Sequence, residues 1–131
     1  MKACFKGDIS IELENGFVIS PRIMALLTLI EQTGSLNAAA KQLGVSYSHS
    51  WHMLHRVNCQ LQMPVVVTQR GGKGGGVARL TSLGKFLLLR YNTVQNAFNE
   101  LLDGHYFSID NTFENSDTAG DSSHPETVRT A

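Results

Sequence analysis

Polar and apolar side chains alternate over residues 8–14, with Asp8, Ser10, Glu12 and Glu14 set against Ile9, Ile11 and Leu13. A period of two predicts a half-buried strand. Asn15 and Gly16 follow, a dipeptide that favours hairpin turns, and Phe17, Val18 and Ile19 supply a return strand. The period then lengthens. Ser20 and Pro21 have the form of a helix start, the serine as N-cap and the proline at the first helical position. Ile23, Leu26, Leu27 and Ile30 recur at helical spacing and give one apolar face, and Gly34 is placed to end the helix.

Ser35 begins a second, short helix in which Leu36, Ala39, Ala40 and Leu43 face one way, and Gly44 closes it. Ser46 caps a third helix over residues 46–62, with Pro64 interrupting the pattern beyond. At about 100° per residue, Tyr47, Ser50, Trp51, Leu54, Val57 and Leu61 gather on a side predicted to pack. Ser48, His49, His52 and Arg56 fall on the other. Two short helices joined through a glycine, the second polar on its outer face, predict a helix-turn-helix over residues 34–61.

Val65, Val66 and Val67 predict a strand, and residues 77–80 its partner, around the glycine loop Gly71-Gly72-Lys73-Gly74-Gly75-Gly76. A glycine hairpin after a recognition helix has the form of a wing, here residues 70–79. Thr81 caps a last helix, residues 81–103, and Gly104 ends it. Leu87, Tyr91, Val94, Phe98 and Leu101 are spaced 4, 3, 4, 3 along it, a seam suited to pairing with another helix. Leu83, Phe86, Leu88 and Leu89 leave further apolar surface for packing within the chain. The predicted class is therefore α+β and mainly helical: a winged helix-turn-helix with an N-terminal strand or hairpin and a long C-terminal dimerisation helix. Residues 1–104 are expected to form this domain, and residues 105–131 an acidic tail whose polar composition predicts disorder.

Composition changes this picture mainly through charge. The 131 residues carry eleven basic and eleven acidic side chains, but the two signs are segregated. Residues 32–99 contain no Asp or Glu, and they hold Lys41, Arg56, Arg70, Lys73, Arg79, Lys85 and Arg90. From His105 on, Asp110, Glu114, Asp117, Asp121 and Glu126 face only Arg129. A basic, carboxylate-free stretch suits a polyanion, because each Lys or Arg near a phosphate releases counterions. No apolar run reaches the ~20 residues of a membrane span. The start MKACFKGDIS has no apolar signal core, and Cys4 and Cys59 lack CxxC spacing, so a reducing cytoplasm is expected.

Other chemistry is weaker. The glycine loop fails the phosphate-loop pattern, since Gly74 follows Lys73 where Ser or Thr is needed. His52, His55 and Cys59 share one helix at a spacing that can hold a metal, which leaves a metal-sensing regulator as an alternative; a protein-interaction module is another. His49 and His52 on a DNA face imply some pH dependence, because a protonated imidazole favours phosphate. No nucleophile elbow, HExxH or carboxylate pair is present, so neither an enzyme nor a cofactor is expected.

The strings SPRIMALLTLIEQTGSLNAAAKQLGVSYSHSWHMLHRVN and GGKGGGVARLTSLG resemble the N-terminal winged-helix domain of ModE-type molybdate-responsive regulators, which have a LysR-like helix-turn-helix. The likeness covers residues 8–103 and includes Ser46, Tyr47 and Trp51. It implies a dimeric transcription regulator on double-stranded DNA, paired partly through the long helix. Full-length members add molybdate-binding domains; this chain ends before one, so no molybdate binding is expected of it. The family places Lys or Arg where Ser48 stands, so that contact does not carry over. The candidate DNA-contacting residues are Ser46, Tyr47, Ser48, His49, His52, Arg56, Arg70, Lys73 and Arg79, and the candidate dimer interface is Leu87, Tyr91, Val94, Phe98 and Leu101.

Overall fold

The computed structural model describes residues 1–69 and 76–113. In chain order the elements are β1 (Lys2–Cys4), β2 (Ile11–Glu12), β3 (Val18–Ile19), α1 (Pro21–Thr33), α2 (Leu36–Leu43), α3 (Tyr47–Leu61), β4 (Val66–Gln69), β5 (Val77–Leu80), α4 (Ser82–Asp103) and β6 (Tyr106–Ser108). The chain divides into two compact units, residues 8–95 and residues 1–7 with the chain from 96 onward.

In the larger unit β2 and β3 form the expected antiparallel hairpin, with Ile11 opposite Ile19. The strand pairing is shorter than the alternation predicts, and the turn is longer than a two-residue one. The Gly16 amide donates to the Leu13 carbonyl at 2.9 Å and the Leu13 amide to the Phe17 carbonyl at 2.8 Å. Gly16 sits at φ +91°, so the loop is a three-residue turn closed by a left-handed glycine. Asn15 Nδ2 donates to Gln60 Oε1 at 2.9 Å, which ties the hairpin to α3.

The helix boundaries follow local chemistry. Ser20, Ser35 and Ser46 accept hydrogen bonds from the amides of Ile23, Ala38 and His49 at 3.3, 3.1 and 3.0 Å. Gly34 and Gly44 close α1 and α2 in the left-handed region. Helix α3 ends differently, on Gln62 at φ +58°, and Asn58 Oδ1 then accepts the Val65 amide at 2.8 Å to turn the chain into β4.

The core lies in this unit and centres on α1, which buries Ile23, Met24, Leu26, Leu27 and Ile30. Ala39 and Ala40 bring α2 close, and α3 adds Ser50, Met53, Leu54 and Val57. Ser50 is fully buried, and its hydroxyl donates to the Tyr47 carbonyl at 2.6 Å, so the core carries no cost for it. Strands β4 and β5 pair antiparallel, Val66 opposite Leu80 and Gln69 opposite Val77. The Ala78 amide donates to the Gly34 carbonyl at 2.9 Å and fastens this hairpin to the end of α1. Thr81 caps α4 by accepting the Gly84 amide at 3.1 Å, while its hydroxyl donates to the Pro64 carbonyl at 2.8 Å. Gly84 is obligatory, because a Cβ there would lie 2.2 Å from the Val65 carbonyl oxygen. Along α4, Leu88 is buried, and Leu83, Leu87 and Tyr91 pack against the core. Burial, and after it the Asp8 carboxylate, push the Tyr91 phenol above its ordinary range.

The smaller unit corrects the reading of the chain ends. Residues 105–131 are predicted as a tail, yet β6 pairs antiparallel with β1, Ala3 opposite Phe107 and Cys4 opposite Tyr106. The N-terminal ammonium donates to the Ile109 carbonyl at 3.0 Å, the Ile109 amide returns a bond to the Met1 carbonyl at 2.8 Å, and the rings of Phe5 and Phe107 meet at 5.6 Å. Hydrogen bonds from Thr112 hold the exposed Asp110 carboxyl below its usual range. The predicted tail from residue 114 lies outside the described residues.

Candidate nucleic-acid interface

Helix α3 presents Ser48, His49, His52 and Arg56 to solvent, with Ser46 exposed at its cap. Its opposite side is closed by the core, so these residues are free to meet a ligand. The inward face is Ser50, Met53, Leu54 and Val57, a run at i, i+3, i+4 and i+7. That run corrects the prediction for Tyr47 and Trp51, which are 53% and 44% exposed rather than packed. Met53 and the small Ser50 take the space against α1 and α2, and the two large rings are rotated onto the flank beside β4 and β5. There they border a hollow of about 250 Å³ with Leu36, Asn37, Thr68, Gln69, Gly76 and Val77. Trp51 stacks on His55 at 4.9 Å and 10°, and meets the His52 ring edge-on at 5.4 Å.

The predicted cations divide. Arg79 is exposed on β5 opposite Val67. Arg56 is exposed too, but its guanidinium lies 5.5 Å over the Phe17 ring, so the hairpin orients it. Arg70 and Lys73 lie outside the described residues.

The three residues of the metal alternative do not converge. His55 Nε2 and Cys59 Sγ approach to 3.5 Å, while His52 turns to Trp51. No group of three or more His, Cys, Asp or Glu among the described residues is placed to hold a metal ion.

The seam residues on α4 also divide. Leu87 and Tyr91 pack on the chain's own core, Phe98 is half-buried, and Val94 and Leu101 are exposed. Phe86 and Leu89, expected to pack within the chain, are exposed as well. Among the described residues no helix is long and apolar enough to cross a membrane.

A helical core carrying α2, a glycine turn and α3, followed by the β4–β5 hairpin, is a winged helix-turn-helix. Residues 21–85 match the family of bacterial regulatory helix-turn-helix proteins of the lysR type. The transcriptional regulator ModE of Yersinia pestis is 35% identical over 99 residues, covering 72% of this chain and 38% of its own. The molybdenum-pterin-binding protein MopB of Rhodobacter capsulatus is 38% identical over 86 residues, covering 66% of this chain and 32% of its own. In fold the chain is similar to MepR, a transcription regulator of the Staphylococcus aureus multidrug efflux pump MepA, with a TM-score of 0.56 and 16% identity over 78% of this chain and 73% of that one. The matches show that the chain carries a helix-turn-helix domain of the ModE type. It spans 38% and 32% of the length of the two relatives named.

Proposed function

We propose that the chain is a cytoplasmic DNA-binding transcription regulator, and not an enzyme, that acts as a homodimer with α3 in the major groove and residues 70–79 on the backbone. One observation carries this reading. The first two turns of α3 hold Ser48, His49 and His52 in solvent on a helix whose other face is fixed in the core. A helix so mounted fits the major groove, where side chains reach distinct patterns of donors and acceptors on base edges. Arg56, Arg70, Lys73 and Arg79 then neutralise phosphates, in a stretch with no carboxylate to oppose them. A dimer joined through α4 reads a roughly palindromic site with half-sites about one helical turn apart. The names of the relatives point to molybdate-related genes as the ones controlled.

The test is selection of bound genomic fragments, followed by affinity measurements over a range of salt. The expected result is enrichment upstream of molybdate-transport or molybdoenzyme genes, with log affinity falling linearly with log salt. Absence of binding at low salt, or affinity indifferent to salt, overturns the proposal.

A further inference from the structure

The second half of α3 carries a pair of metal-ligating side chains that the DNA-binding reading does not use. His55 and Cys59 stand one helical turn apart, and both are exposed. Residues at i and i+4 lie on the same face of a helix. Here the two side chains meet, with His55 Nε2 3.5 Å from Cys59 Sγ. We propose that this pair is a bidentate site for a tetrahedral divalent ion of the zinc type. His55 Nε2 and Cys59 Sγ are its two protein ligands, and water fills the remaining positions. Cys59 binds as the thiolate, and its proton passes to solvent. His52 takes no part, so the site is narrower than the three-residue one that the sequence suggests.

Three observations support it. The first is separation. A zinc–sulfur bond of about 2.3 Å and a zinc–nitrogen bond of about 2.0–2.1 Å, set at the tetrahedral angle, place the two ligand atoms about 3.5–3.6 Å apart. The observed 3.5 Å is that edge. The same bonds at a right angle, as in octahedral or square-planar geometry, need about 3.1 Å, and a linear pair needs about 4.3–4.4 Å. The contact is also that of an S–H···N hydrogen bond, so the ion takes the place of the shared proton with little movement of either ligand. The second is chemistry. A thiolate with an imidazole is a donor set for zinc and its transition-metal neighbours, not for magnesium or calcium, which take oxygen ligands. The third is preorganisation. The His55 ring stacks on Trp51 at 4.9 Å and 10°, which holds its plane before any ion arrives. Both ligands ride on one helix whose buried face, with Leu54 and Val57, is fixed in the core. No group of three or more His, Cys, Asp or Glu forms among the described residues, so the other coordination positions are left to solvent.

The full chain is titrated with Co²⁺, a spectroscopic stand-in for Zn²⁺, and no DNA is present, so the outcome is independent of the DNA-binding reading. Saturation is expected at a single ion per chain. The signals are a near-ultraviolet thiolate-to-cobalt charge-transfer band and visible absorption of tetrahedral intensity, both removed by added Zn²⁺. Trp51 is the single tryptophan and its ring lies on His55, so bound Co²⁺ should quench its fluorescence along the same isotherm. Both cysteines are exposed, and Zn²⁺ is expected to protect Cys59, and not Cys4, from alkylation. Cys59→Ser should abolish the charge-transfer band, and His55→Ala should weaken binding by about tenfold or more. Cys4→Ser and His52→Ala should bind like wild type. All four positions are exposed, and far-ultraviolet dichroism checks that each variant keeps its helices. The proposal is overturned if Co²⁺ gives no charge-transfer band, if the band survives Cys59→Ser, or if His55→Ala binds as tightly as wild type. Weakened binding in His52→Ala overturns the two-ligand assignment.

Discussion

Helices α3 and α4 are both amphipathic, yet they complete their burial in different ways. Helix α3 closes its apolar face inside the chain at Ser50, Met53, Leu54 and Val57. What remains outside is polar or aromatic, and Ser48, His49 and His52 are exposed on it. Helix α4 is 22 residues long but fully buries only Gly84 and Leu88, leaving Phe86, Leu89, Val94 and Leu101 exposed. Burying a large apolar side chain stabilises by about 1.5–3 kcal/mol, so the exposed aliphatic side chains of α4 retain a driving force for association, whereas α3 exposes only the two rings Tyr47 and Trp51 among polar residues. On the proposed reading, one helix offers a surface for recognition and the other a surface for pairing.

The joint that holds α4 to the rest is the most sensitive point of this comparison. Gly84→Ala forces a Cβ to within 2.2 Å of the Val65 carbonyl oxygen, which is backbone and cannot swing aside. The expected loss is about 3 kcal/mol or more, read by urea unfolding. A loss below about 1 kcal/mol means that α4 is not seated against Val65 as described. Next in size is the pairing surface. Val94→Glu with Leu101→Glu leaves the monomer's thermal unfolding nearly unchanged, since both positions are exposed. Sedimentation is expected to show dimer dissociation rising a hundredfold or more, about 1.5–3 kcal/mol per side chain lost and a charge added in each place. Wild-type association in this variant would remove α4 from the interface.

The same contrast explains what the sequence discloses. Helix starts and stops are local: Ser20 with Pro21, Ser35 with Gly44, and Ser46 act within a turn of where they stand, and the structure uses each as its residue type suggests. The face of α3 is not local. Tyr47, Trp51 and Met53 are all large and partly apolar, so periodicity alone cannot decide which of them faces α1, and the choice falls to the volume left between α1 and α2. The β1–β6 pairing is the least legible feature. Lys2, Ala3 and Cys4 show no alternation of their own, and their partners Tyr106, Phe107 and Ser108 stand at the far end of the chain. The exposure of Arg79 was legible from the alternation of β5, and the hollow beside Trp51 was not, because it exists only once three elements meet.

A smaller effect separates reading from anchoring on the DNA side. Lys73→Ala is expected to weaken binding to all duplexes by a similar factor and to lower the slope of log affinity against log salt by about 1. His49→Ala is expected to leave that slope in place and change which fragments are selected, at a cost of about 1–3 kcal/mol on the preferred sequence. Neither change alters sedimentation, since neither residue lies on α4. If His49→Ala weakens all fragments equally, the exposed face of α3 anchors rather than reads.

The smallest expected effect falls on Arg56, which stands between the two roles. Its guanidinium rests over the Phe17 ring at 5.5 Å, so it contributes to holding the β2–β3 hairpin against α3. An exposed cation over an aromatic ring is worth about 0.5–1 kcal/mol, and that is the stability loss expected for Arg56→Ala in urea unfolding. The same side chain lies on the polar side of α3, so the variant is also expected to lower the salt slope by about 1. Phe17→Leu separates the two contributions. It removes the ring, which also packs against the core, so its stability loss should be at least as large, and it should leave the salt slope at the wild-type value. A slope that falls equally in Phe17→Leu shows that the ring aims Arg56 at a phosphate, and a slope unchanged in Arg56→Ala shows that the residue serves the fold alone.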